Sequence, residues 1–85
     1  MDIKILRQIE MLTSEKVSDV TEYIKEFIID EYYPNIEEKE YKVTQIFNEY
    51  DWTEIEYKVK VSNITRYDDN SINDFDIEVL NVKKL

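Results

Sequence analysis

The spacing of apolar residues divides the chain into a half with helical periodicity and a half with strand periodicity. Ile5, Leu6, Ile9 and Leu12 recur every three or four residues, which predicts an amphipathic helix. A second run with the same spacing predicts another helical segment: Val17, Val20, Ile24, Phe27 and Ile28. The pattern alone leaves open whether the two segments form one bent helix or two separate helices.

The ends of the helical half carry their own signals. Thr13 or Ser14 is a candidate N-cap for the second segment, with Glu15 in the first turn, where a carboxylate favours the positive end of the helix dipole. Pro34 restricts the backbone before it and predicts that helix ends there. The helical half therefore spans residues 2–33.

The second half, residues 38–84, contains three candidate strands. The clearest is an alternation of four apolar residues with charged neighbours, at Ile55, Tyr57, Val59 and Val61. Phe75, Ile77 and Val79 alternate in the same way. The segment 41–47 is a less regular third candidate, with a β-bulge expected near Gln45 and Ile46.

Pairing the last two strands about a loop centred near Asp69 gives a consistent register. It places Lys60 opposite Glu78 and Glu54 opposite Lys84. The sequence thus predicts a single α+β domain over residues 1–85, with one or two N-terminal helices packed on a three-stranded antiparallel sheet.

This register also leaves Ile64, Leu80 and Val82 on the face of the sheet away from the helices. An apolar patch there indicates a self-association or partner surface, so a homodimer is among the expected states.

The absence of Gly shifts the turns to other residues. Backbone positions with positive φ must fall to Asn and Asp, which tolerate the left-handed region best. The candidate turns are 33–35, 48–51 and 68–71.

Composition removes most enzymatic chemistry. The chain has no His and no Cys, which excludes the commonest general base, thiolate nucleophiles and Cys-ligated zinc, and without Gly it has no phosphate-cradling loop. A calcium loop starting at Asp68 or Asp69 would place Val79 or Leu80 where a bidentate acid is required. We therefore predict a protein that is not an enzyme and that binds no metal or cofactor.

The net charge of −9 predicts the kind of partner. A field of this sign repels nucleic acid and anionic lipid and attracts basic proteins. The N-terminal segment interrupts each apolar stretch with charges, so neither a signal peptide nor a membrane span is expected. Together with the absence of Cys, this predicts a cytoplasmic protein.

Acidic residues concentrate in two places. On a helical wheel, five acids fall within about 80 degrees of one another, opposite the apolar stripe. We call this set the acidic ridge: Glu15, Asp19, Glu22, Glu26 and Asp30. A second set, the hairpin acids, follows the last loop and strand: Asp68, Asp69, Asp74, Asp76 and Glu78. A row of carboxylates at such intervals resembles the regular phosphates of a nucleic-acid strand, although a solvated helix face gives the same pattern.

An acidic chain without Gly or Cys, with this ridge and these hairpin acids, resembles the small phage-encoded inhibitors of host defence, including anti-CRISPR proteins. The resemblance is one of composition and architecture over the whole chain, and that group shares no residues that could be carried over. It implies an inhibitor in the host-cell cytoplasm that occupies the nucleic-acid groove of a nuclease or CRISPR effector.

Two functional hypotheses follow from these patterns. In the first, the acidic ridge and the hairpin acids bind the basic groove of a nuclease or CRISPR effector as a nucleic-acid mimic. In the second, an immunity protein, antitoxin or assembly adaptor binds through Tyr32, Tyr33, Trp52 and the Ile64, Leu80 and Val82 face. Neither involves direct contact with nucleic acid or a membrane.

Overall fold

A computed structural model of the protein describes residues 2–47 and 53–85. Its elements are α1 (Ile3–Thr13), α2 (Val17–Tyr32), β1 (Glu40–Phe47), β2 (Thr53–Arg66) and β3 (Ile72–Lys84). The strands form one antiparallel sheet in the order β1-β2-β3, with the helices packed against it. The predicted α+β fold is confirmed, and the two helical segments are separate helices.

One core joins the helices to the sheet. Its residues are Ile9, Val20, Ile24, Ile28, Ile36, Tyr41, Val43, Ile55, Tyr57, Val59, Val61, Phe75, Val79 and Val82. The four alternating apolar residues of β2 have no exposed surface. Phe27 and Ile77 pack against this core while keeping part of their surface exposed.

The junction between the helices differs from the prediction. Ser14 has φ 56°, ends α1 in the left-handed region, and donates its backbone N–H to the carbonyl of Glu10 at 2.9 Å. Thr13 is buried, and its hydroxyl donates to the carbonyl of Ile9 at 2.6 Å. The N-cap of α2 is Lys16, whose side chain makes no capping hydrogen bond. The predicted cap at Thr13 or Ser14 is therefore wrong, because both residues serve the end of α1.

The register of β2 and β3 is confirmed at one end and shifted at the other. Lys60 lies opposite Glu78 as predicted. Leu80 is an extra residue between the pairs Val59–Val79 and Lys58–Asn81, so the register moves by one position. Ile55, and not Glu54, consequently lies opposite Lys84, and the predicted Glu54–Lys84 pair is wrong.

This bulge turns Val82 toward the helices. Val82 lies opposite Tyr57 and is only 4 % exposed. A second bulge in β2 begins at Asn63, which has φ 52°, and Ile64 packs against the core. The predicted apolar surface of Ile64, Leu80 and Val82 on the far face is therefore wrong, because the bulge at Leu80 and the bulge that begins at Asn63 reverse the alternation.

The other turn and bulge predictions have mixed outcomes. β1 pairs with β2 in an unbroken register, so the bulge predicted at Gln45 and Ile46 is wrong. The turn at 33–35 is confirmed by a hydrogen bond from the N–H of Asn35 to the carbonyl of Tyr32 at 2.6 Å. The turn at 68–71 is confirmed, with Asn70 at φ 70°. The predicted turn at 48–51 lies outside the described residues.

Candidate partner-binding surface

Four of the five acidic ridge residues lie on α2. The helix buries Val20, Ile24 and Ile28 against the sheet, at exposures of 1 %, 0 % and 0 %. The geometry of an α-helix then directs residues half a turn away into solvent. The ridge residues on this outward side, all exposed, are Asp19, Glu22, Glu26 and Asp30.

Glu15 occupies a different position from the one predicted. It precedes the start of α2 and lies exposed in the connection from α1. Its backbone N–H donates to the hydroxyl of Thr13 at 3.1 Å, which fixes the chain at this point. Glu15 therefore extends the acidic ridge beyond the N-terminus of the helix and does not stand in its first turn, where the acid is Asp19.

The ridge carboxylates have no cationic partner within the part of the chain that the structure describes. The ion pairs there are Lys25–Asp74, Lys39–Glu37, Lys58–Glu40 and Lys83–Glu56. Lys25 is the lysine of α2, and it is directed to Asp74 on β3 and to the ring of Phe75, with Nζ 5.1 Å from the ring centroid. Among the described residues, none of the ridge carboxylates is therefore held in an ion pair.

Three of the hairpin acids have structural partners. Asp74 accepts a hydrogen bond from Lys25, which with the backbone N–H of Phe75 lowers the pKa of that carboxyl. Asp69 accepts from the hydroxyl and the N–H of Ser71, which lowers its pKa in the same way. Asp76 accepts from Nδ2 of Asn63 at 2.9 Å. Asp68 and Glu78 are exposed on the same hairpin.

The outer face of the sheet carries both signs of charge. Glu40 pairs with Lys58 and Glu56 pairs with Lys83, each at 3.5 Å. Lys60 lies directly opposite Glu78. Because cations interleave with the acids, this face is mixed and not acidic. On α2, by contrast, the four exposed ridge residues follow one another without an ion pair to any described residue.

The predicted aromatic residues lie where α2 meets β1. Tyr33 ends α2 and is 50 % exposed, and Tyr32 is 37 % exposed. The ring of Tyr32 stacks at a tilt against Tyr41, with centroids 4.7 Å apart. Trp52 lies outside the described residues. Sequence reasoning missed the part of Tyr41 in this group, although its alternation with Val43 signals an inward-facing strand residue.

The described residues contain no group of three or more carboxylates close enough to hold a metal ion. In the same ranges, neither helix combines the length and the apolar character needed to cross a membrane. A search of protein families found no matching family, and searches of curated proteins and of solved structures found no significant similarity.

Proposed function

We propose that this protein acts without catalysis, as an inhibitor that binds a basic protein through the acidic ridge. The observation that carries the proposal is the contrast between the two charged surfaces. Acids on the sheet are interleaved with lysines, whereas the four ridge residues on α2 stand together and form no ion pair within the described part of the chain. A surface of this kind attracts a positively charged groove over a distance of about 8 Å at physiological salt.

The rigidity of α2 supports a mimic of nucleic acid. Successive ridge residues on the helix stand about 4.5 to 6 Å apart along its axis, and the four span roughly 16 Å. The phosphates of one strand of duplex DNA repeat at about 3.4 Å along the axis. A groove that binds several phosphates in a row can therefore engage several of these carboxylates at once. The partner that we propose is a nuclease or CRISPR effector, because the resemblance to small phage-encoded inhibitors implies one.

The alternative function, as an immunity protein, antitoxin or adaptor, was predicted to use an aromatic and apolar surface, and only part of that surface is exposed. Two residues of its apolar face, Ile64 and Val82, pack with the core. Tyr32 and Tyr33 remain exposed and could serve as anchors. The two hypotheses differ in salt dependence, since aromatic anchors lose little affinity as salt rises.

Two variants with matched charge test the proposal. The ridge variant is D19N/E22Q/E26Q/D30N, and the control variant, which leaves both the ridge and the hairpin acids intact, is E10Q/E37Q/E38Q/E54Q. Each removes four negative charges, so the net charge is the same in both. Tagged wild-type protein and both variants would be used to capture partners from lysate at low salt, and the captured protein would then be purified and its affinity measured directly.

We expect the wild-type protein and the control variant to bind the purified partner with similar affinity. The ridge variant should bind at least tenfold more weakly, which corresponds to a loss of about 1.4 kcal/mol of binding free energy. Added nucleic acid should displace the wild-type protein from the partner. Equal affinity of the ridge and control variants would show that only net charge matters. Binding that is insensitive to salt and retained by the ridge variant would overturn the proposal.

A further inference from the structure

The outer edge of β1 is open. The N–H of Val61 donates to the carbonyl of Lys39 at 3.0 Å, which identifies Lys39 and Val61 as a hydrogen-bonded pair of the ladder. Because hydrogen-bonded and non-bonded pairs alternate in an antiparallel ladder, Tyr41 and Val43 also face β2. The backbone groups of Glu40, Lys42, Thr44 and Ile46 therefore point away from the sheet.

Little in the described chain covers this edge. The hydroxyl of Tyr23 donates to the carbonyl of Thr44 at 2.9 Å. No other described residue hydrogen bonds to the outward backbone groups of β1, so those of Glu40 and Lys42 are unpaired. The β3 edge is different, because its ladder is interrupted by bulges and α1 packs along that strand. A regular edge strand of this kind is a template for another strand.

We propose that a second copy of this chain pairs with this edge, β1 against β1 in antiparallel orientation, about a two-fold axis at Tyr41. This register places Glu40 of each copy opposite Lys42 of the other, which forms two reciprocal ion pairs on the outer face. The resulting dimer has a continuous six-stranded sheet. None of the residues that pair across this edge belongs to the acidic ridge.

Neighbouring registers are less favourable. A two-fold axis at Lys42 would place Lys42 opposite its own copy, and like charges directly opposite each other are destabilising. An axis at Val43 would pair Lys42 with Thr44, whose carbonyl already accepts from Tyr23. The unpaired backbone groups of Glu40 and Lys42 and the charges of their side chains thus both favour a two-fold axis at Tyr41.

The exposed aromatic residues lie beside the proposed axis. Tyr41 stands on the axis, and its ring contacts Tyr32, with Nζ of Lys39 5.2 Å from the ring centroid. Tyr33 follows Tyr32 at the end of α2 and is half exposed. Tyr41 is itself buried in the core, so the aromatic surface that a second copy would cover belongs to Tyr32 and Tyr33, and exposed tyrosines of this kind supply binding energy at interfaces.

A charge swap tests this register. E40K and K42E each place like charges opposite each other across the axis, and the double variant E40K/K42E restores opposite charges. We expect sedimentation equilibrium to show wild-type protein approaching twice its monomer mass of 10.4 kDa. Each single variant should raise the dimer dissociation constant at least tenfold, and the double variant should return it to within about threefold of wild type, a residual of roughly 0.6 kcal/mol.

A proline variant tests the edge itself. K42P removes an N–H that faces away from β2, so the β1–β2 ladder is kept, and thermal unfolding by circular dichroism would verify the fold. We expect K42P to be monomeric. Three results would each overturn the proposal. They are a wild-type protein that stays monomeric up to about 1 mM, single charge variants that dimerise as tightly as wild type, and a K42P variant that still dimerises. None of these variants alters the acidic ridge, so the two proposals can fail separately.

Discussion

Tyr57 is the largest fully buried side chain of the described residues and connects the core to a polar partner. Its ring lies between the sheet and the helices, and its hydroxyl donates to Oε1 of Gln45 at 2.8 Å. Burial raises the pKa of Tyr57 to about 12, with smaller contributions from Tyr23 and Glu15. Because the ionised phenol is disfavoured in the folded state, the fold depends on the proton of this residue.

We expect the free energy of unfolding to fall as the pH rises from about 10 to about 12. The unfolded chain releases the Tyr57 proton near pH 10, whereas the folded protein retains it until about pH 12, so alkali favours unfolding. Y57F should reduce this slope while losing about 0.5 to 1.5 kcal/mol at neutral pH with the hydrogen bond to Gln45. Urea unfolding at several pH values measures both effects.

The exposed phenol of Tyr67 supplies the matched control, Y67F. Burial of Tyr23 also raises its pKa, so Y57F should weaken the alkaline slope without abolishing it. If Y57F and Y67F show the same dependence on pH, the buried tyrosine is not its source.

The residues with positive φ show how far such positions can be predicted in a chain without Gly. Asn63 and Asn70 follow the expectation that Asn takes such positions, but Ser14 does not. Asn70 lies in a segment recognisable as a turn. Asn63 lies inside a strand, where only the pairing of β2 with β3 creates a need for left-handed backbone. Local composition therefore predicts the positive φ of Asn70 but cannot predict that of Asn63.

At the scale of elements, the start of α2 is poorly capped. Its N-cap Lys16 makes no side-chain hydrogen bond and carries a positive charge beside the positive end of the helix dipole. We expect K16D to raise the free energy of unfolding by about 0.5 to 2 kcal/mol, because the carboxylate can accept from a free N–H of the first turn. Chemical denaturation measures this gain.

The control for this cap is K16A, which removes the lysine charge without adding an acceptor. A gain as large in K16A as in K16D would mean that removal of the charge, and not capping, stabilises the helix. Asp2, which caps α1 by accepting from the N–H of Lys4 at 2.8 Å, shows that this chain uses such a cap elsewhere.

Periodicity predicted the three strands and both helical segments, because each buries one face and repeats its apolar residues accordingly, but it left open whether the two segments form one helix or two. It failed at the bulges. Val79, Leu80 and Val82 fit either face of β3, and only the extra residue at Leu80 assigns Val82 to the core. A bulge is fixed by contacts between strands, which the alternation along one strand does not contain. For this reason the predicted partner surface of Ile64, Leu80 and Val82 was assigned to the wrong face of the sheet.

At the scale of the whole molecule, the charges proposed to bind the partner lower the stability of the fold. The net charge is −9, and consecutive ridge acids on α2 stand three or four residues apart without an ion pair in the described chain. Like charges at this spacing destabilise an isolated helix by about 0.2 to 0.5 kcal/mol per pair. The three consecutive pairs of α2 thus cost roughly 1 kcal/mol in total.

We therefore expect the ridge variant D19N/E22Q/E26Q/D30N to be more stable than wild type by about 1 kcal/mol at low salt, and by less at high salt, where screening weakens the repulsion. The control variant E10Q/E37Q/E38Q/E54Q changes the net charge equally without relieving neighbouring repulsion on α2. Denaturation curves at two salt concentrations compare them. Equal stabilisation of both variants would assign the effect to net charge alone. A ridge variant that gains stability while losing its partner would show that these carboxylates are retained for binding at the expense of the fold.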